Sequence, residues 1–213
     1  MRLDKSRIAA RTVPGNIRNW LRIFPERHKA TPCNAGFGAS RFSSPTNAFR
    51  VLYAARDFPT AFAEAVVRDR FEGKQRRYLY RPFLERLVVA EISTAHPLQL
   101  LDLMGSAAYE VGVDTDAKGA RAHKAGQHFA EALHAQTTAD GILFNSRLTA
   151  SPCVAIFDRA FTALTASMPA ARHSWRASSM TWAVRPTMRV CWPEPFSRRR
   201  IRRVASQPSR LGI

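Results

Sequence analysis

The feature that most constrains this fold is a succession of short apolar runs, none long or periodic enough to be an amphipathic helix. Trp20–Phe24, Arg50–Ala55, Leu87–Ile92, Leu98–Leu103, Gly141–Asn145 and Cys153–Asp158 are rich in apolar and β-branched residues and read as strands. Two helical patterns lie among them. Asp57 is placed to cap a helix whose first turn tolerates Pro59 and which runs to about Phe71. Residues 117–134 carry apolar side chains at 122, 125, 129, 132 and 133, a helical stripe. Strands and helices are interspersed without a regular βαβ rhythm. That order predicts a compact α+β domain rather than a doubly wound sheet, and 213 residues suit one domain with an appendage.

The domain is expected over 20–162, after an N-terminal stretch (1–19) that is basic, lacks periodicity and reads as an arm or a short leading helix. Pro25–Ser44 holds Pro32, Gly36 and Gly38 and reads as a long loop of the kind that often carries function. Gly73–Arg77 reads as a basic turn. Charge separates the last part of the chain from the rest. Residues 1–162 hold 23 basic and 15 acidic side chains, whereas 163–213 hold 10 arginines, no lysine and one acid, Glu194. With three of the four tryptophans, five prolines and no sustained period, this stretch is expected to be a basic, poorly ordered tail. Its run Ser197–Arg203 suits a nucleic-acid-binding segment. An extension without a selected role, or one read out of frame, gives the same composition.

Several chemistries lack their signatures. No GxGxxG follows a strand, and no GxxxxGK[ST] or GxSxG occurs. Cysteines 33, 153 and 191 form no CxxC pair, and His123, His128 and His134 fall on different helical faces. No metal site is therefore expected. The chain has no apolar run of about 18 residues and no signal-peptide core at its start, so a cytoplasmic protein without membrane contact is expected.

Five residues stand out by position. Arg22 interrupts an apolar segment, Arg41 follows the glycine-containing loop, Tyr53 sits in a buried strand, Glu64 lies mid-helix, and Ser146 ends a strand. Each has an ordinary reading: surface charge for the arginines, core packing for Tyr53, an i,i+4 pair with Arg68 for Glu64, and a turn cap for Ser146.

The segments that carry these residues are Leu21-Arg22-Ile23, Ser40-Arg41-Phe42, Val51 through Glu64, Glu91 within its strand, and Asp140 through Arg147, closed by Phe157-Asp158. In this order and spacing the chain resembles the RES-domain family, the toxin half of bacterial toxin–antitoxin pairs. The family is named for an Arg, a Glu and a Ser, here Arg41, Glu64 and Ser146. The resemblance implies an ADP-ribosyltransferase-like fold and an enzyme that degrades NAD by phosphorolysis or hydrolysis of its nicotinamide–ribose bond. NAD would be a substrate rather than a cofactor, with inorganic phosphate as a candidate co-substrate. In such a site Glu64 suits stabilisation of a ribosyl cation. Arg22 and Arg41 suit the diphosphate, Tyr53 the nicotinamide ring, and Ser146 the carboxamide or ribose. The resemblance also implies a helix-turn-helix antitoxin, with DNA reached only through that partner. Competing expectations are a protein ADP-ribosyltransferase using the same pocket, a non-enzymatic nucleic-acid-binding protein driven by the tail, and an inactive RES-domain remnant.

Overall fold

The computed structural model describes residues 1–68, 70, 78–111, 123–168 and 189–191. Their framework is an eight-stranded sheet. In chain order its strands are β1 (Thr12–Gly15), β2 (Trp20–Pro25), β3 (Val51–Ala55), β5 (Leu87–Thr94), β6 (Leu98–Asp102), β7 (Gly141–Asn145), β8 (Pro152–Phe157) and β9 (Leu164–Ser167), and they lie side by side as β1-β6-β7-β8-β3-β2-β5-β9. Only β6 and β7 run parallel; every other neighbouring pair is antiparallel. A separate parallel pair joins β4 (Tyr78–Tyr80) to β10 (Arg189–Cys191). The helices are α1 (Lys5–Arg11), α2 (Phe58–Phe62), α3 (Arg81–Leu84), α4 (Ala107–Glu110) and α5 (Lys124–Gln136). The α+β class expected from the order of segments is the class observed.

The central strands read as unbroken apolar runs because both of their faces are buried. On one face Val51, Ala55, Ala155 and Phe157 pack with Phe62 of α2 and with Phe129 and Leu133 of α5. On the other, Leu52, Ala54, Val154 and Ile156 share a cluster with Ile92 of β5, Leu98 of β6 and Leu164 of β9. Strands from opposite ends of the sheet meet in that second cluster, so the sheet curls around it. Gly141 opens β7 where β8 comes closest: a Cβ there would strike the Ala155 carbonyl oxygen, so glycine lets the two strands pair.

The pairing is uneven at one place. β2 matches β5 over Trp20–Pro25, and β3 matches β8 along its full length. β2 and β3 meet at the single register pair Leu21↔Ala55. Beyond that point the two strands splay apart.

Residues 1–19 hold a short leading helix, α1, and a strand, β1, that joins the sheet. Asp4 caps α1, its Oδ1 accepting from the Ser6 and Arg7 amides at 3.1 and 3.3 Å. Ile8 and Ile17 are buried, and β1 pairs with β6. A seven-residue helix and an edge strand interrupted by Pro14 are too short to register as periodic patterns. At the other limit, Asp158–Ala163 forms a 3₁₀ segment and β9 adds to β5, so the domain does not stop at 162. Apart from those residues and β10, the segment read as a tail lies outside the described residues. So do the basic turn at 73–77, the expected helix end at Phe71, and the first part of the helix expected over 117–134, which is seen from Lys124. Among the described residues no helix is long and apolar enough to cross a membrane.

Candidate active site

A cleft of about 350 Å³ opens where β2 and β3 splay. Leu21–Pro25, Val51 and Tyr53–Ala55 contribute its strand walls, and Ala61, Glu64, Ala65 and Arg68 line it from the helix that follows β3. A smaller void of about 10 Å³, room for roughly one water, shares Tyr53, Glu64, Arg68 and Phe144 with the cleft and adds Arg41 and Arg147.

Glu64 owes its position to the way its helix starts and ends. Asp57 caps α2, accepting the Thr60 amide at 2.8 Å. After Phe62 the chain widens into a π-helical turn, Ala63–Val67, in which the Arg68 amide donates to the Ala63 carbonyl at 2.9 Å. Such turns recur at functional sites because the extra residue re-aims the side chains. Here Val66 goes into the core while Glu64 and Arg68 line the cleft.

The Glu64 carboxylate is held by both oxygens. Ser146 Oγ donates to Oε1 at 2.7 Å, and Arg68 Nη1 donates to Oε2 at 3.2 Å. Ser146 is 2% exposed. Its oxygen accepts from the Leu148 and Thr149 amides at 3.1 and 3.3 Å. Those two bonds orient the hydroxyl, and its one hydrogen goes to Glu64. The same turn is tied to α2 by Thr149 Oγ1 and Thr60 Oγ1, 2.9 Å apart. The serine at the end of β7 and the glutamate after α2 are thus brought together across 82 residues of chain.

Arg41 is buried. Burial first, then the like charge of Arg147, lowers its pKa, while Glu64 acts in the opposite sense; a guanidinium stays charged regardless. Tyr53 anchors the neighbouring backbone, its hydroxyl accepting the Phe42 amide at 2.9 Å. Burial pushes that phenol up to about 12, so it stays neutral and able to donate. Cys153 stands in the cleft wall. Its thiol is pushed up to about 12, by burial first and then by Glu64 and Asp57.

Arg22 lines the larger cleft but not the smaller void. Its Nη1 donates to the Pro32 and Asn34 carbonyls at 2.5 and 2.7 Å, so it holds the long loop that leads to Arg41. Burial lowers its pKa to about 10, still cationic at neutral pH. Glu91, quoted with the other segments, lies outside this group, with its Oε2 accepting from Ser167 Oγ at 3.2 Å.

The structure therefore gathers Arg41, Tyr53, Glu64 and Ser146, with Arg22 on the adjoining cleft. Sequence reasoning missed Arg147 altogether and gave Arg68 only a pairing role. Their signals were adjacency to Ser146 and the i+4 offset from Glu64. Among the described residues no group of three or more His, Cys, Asp or Glu is placed to hold a metal ion. Chemically, the site is one immobilised carboxylate beside a cleft rich in guanidinium groups.

A curated protein of Sinorhizobium fredii (strain NBRC 101917 / NGR234), named Probable toxin y4kH, is 34% identical over 83 residues, 38% of this chain and 65% of that protein. This chain thus matches less than two thirds of that relative's length. The crystal structure of the M. tuberculosis MbcT–MbcA toxin–antitoxin complex contains a chain with TM-score 0.59 and 18% identity, over 76% of this chain and 88% of that one. That likeness shows a shared α+β fold. The RES domain model matches residues 19–180, well over half of the sequence. The chain belongs to the RES domain family.

Proposed function

We propose that this protein is the toxin of a toxin–antitoxin pair and that it breaks the nicotinamide–ribose bond of NAD. The observation that carries the reading is the Glu64 carboxylate, held on both oxygens at the wall of a cleft lined by Arg22 and Arg68. The C–N bond breaks with its electron pair leaving on nicotinamide. Nicotinamide departs neutral because it was cationic in NAD, so the enzyme need not protonate it. What the reaction requires is stabilisation of positive charge developing on the ribose, and a fixed carboxylate supplies that. Water or phosphate then bonds to the ribose carbon, and water gives up a proton in doing so.

Arg22 and Arg41 suit the two negative charges of the diphosphate. Tyr53 offers a neutral ring at the cleft for the cationic nicotinamide. Ser146 acts through Glu64, since its hydrogen already lies on Oε1. A relative named as a toxin and a structural neighbour solved with its antitoxin support a neutralising partner, which we take to be a helix-turn-helix protein that covers the cleft.

The test is NAD loss and nicotinamide release by the full chain, with and without phosphate, beside Glu64→Gln. Phosphate-dependent release identifies phosphorolysis, and phosphate-independent release identifies hydrolysis. ADP-ribose found on protein would identify transfer instead. Release undiminished in Glu64→Gln would sink the mechanism.

A further inference from the structure

We infer that Arg68 is a positioning residue, which fixes the plane of the Glu64 carboxylate for the bond-breaking step; the inference rests on the NAD-cleaving reading above. A glutamate side chain has three rotatable bonds. One hydrogen bond, from Ser146 to Oε1, leaves the carboxylate free to swing about that contact. A second donor on the other oxygen removes the swing. Arg68 is that donor, 3.2 Å from Oε2. Each carboxylate oxygen can accept more than one hydrogen bond, so both retain capacity for the ribose hydroxyls.

Three further observations separate Arg68 from an ordinary helix-surface partner. The pair is largely shielded, with side chains 19% and 21% exposed, whereas exposed i,i+4 pairs contribute little. It is built on the π-helical turn that brings both residues to the cleft. Of the three arginines beside Glu64, Arg41 and Arg147 line only the smaller void, while Arg68 lines both it and the main cleft. It therefore stands where the carboxylate and an incoming substrate meet. A residue there could instead grip the diphosphate, and the two roles differ in which kinetic constant they change.

The decisive experiment compares wild type, Arg68→Met and Arg68→Lys in steady-state NAD cleavage by the full chain. A crystal structure of Arg68→Met accompanies the kinetics. The expected result is a fall in kcat of about thirtyfold in Arg68→Met with KM for NAD within about threefold, since misplacing a reacting group acts on the transition state. Arg68→Lys, which can still donate to Oε2, recovers most of kcat. Adding Arg68→Met to Glu64→Gln lowers the rate no further, as expected of residues acting as a unit. In the Arg68→Met crystal, Glu64 occupies more than one rotamer. A raised KM at unchanged kcat would overturn the inference in favour of a phosphate grip. An unchanged Glu64 rotamer with unchanged kinetics would overturn it in favour of a surface pair. If wild type cleaves no NAD, the proposed function fails by itself, and the Glu64 rotamer still decides whether Arg68 holds the carboxylate.

Discussion

The sheet is not the same structure on its two sides. From β3 through β8 to β7, strands pair along their lengths, with Val51↔Phe157 to Ala55↔Cys153 in register and Gly141 to Asn145 matched in turn. From β2 through β5 to β9 the pairing is equally regular. Between the two blocks stands the single pair Leu21↔Ala55. The fully paired blocks hold the buried clusters, and the gap between them holds the cleft. Stability and chemistry are therefore carried by different contacts, although Tyr53 and Cys153 belong to both. A site needs backbone that has parted, and a sheet tolerates one such place when the strands on either side are buried on both faces.

That division can be broken by experiment. Phe157 is fully buried and packs edge-on against Phe49 at 5.1 Å. Phe157→Ala is expected to cost about 3–5 kcal/mol of stability, measured by urea unfolding, because it strikes a paired block. Glu64→Gln should instead lower NAD cleavage by about 10²–10³-fold with an unchanged unfolding midpoint. Equal losses of stability in the two variants would erase the distinction. Arg22→Ala tests the other lip of the gap. It removes two charge-assisted bonds to the loop carbonyls, and NAD binding should weaken by about tenfold, read as KM, with stability almost unaltered.

Smaller effects sharpen the comparison. His134 stacks on Phe49 at 4.3 Å, and its Nε2 is buried without a hydrogen-bond partner among the described residues. Burial first, and the nearby Arg159 second, lower its pKa, partly opposed by Asp158 at 3.8 Å. The folded state thus favours the neutral ring. Its contribution is present above the ordinary histidine range near 6.5 and is lost as pH falls below it. The drop in Tm between pH 7 and pH 5 should be shallower in His134→Phe, which keeps the stacking and removes the proton site. Smallest of all, Ala150 has φ of 60° in the turn that holds Ser146. Ala150→Gly should relieve that strain and raise stability by less than about 1 kcal/mol.

Much of this architecture was legible in the sequence where it depended on neighbours in the chain. The apolar runs became strands within a residue or two of their expected limits, and Asp57 does cap its helix. The Glu64–Arg68 pair was visible as an i,i+4 offset. What the sequence withheld was non-local. Nothing in Trp20–Phe24 says that β2 would meet β3 at one pair and β5 at six, so the cleft had no signature. The π-helical turn has none either, since Ala63–Val67 would suit an ordinary helix equally well. β1 and β9 have no sequence signal because each spans four residues, and their stability comes from the sheet they join. Ser146 was expected to face substrate. The Leu148 and Thr149 amides donate to its oxygen, and its one hydrogen goes to Glu64.

The sulfur in the cleft wall has a consequence for life under oxidative stress. With burial pushing the Cys153 thiol up to about 12, it stays protonated at neutral pH, and it is the thiolate that peroxides and electrophiles attack. Residue 153 therefore puts bulk and polarisability beside Glu64 without adding a point of chemical vulnerability. A cell flooded with peroxide would not disarm this site through that side chain, and thiol-directed reagents are expected to label Cys33, which is more exposed, well before they reach the cleft.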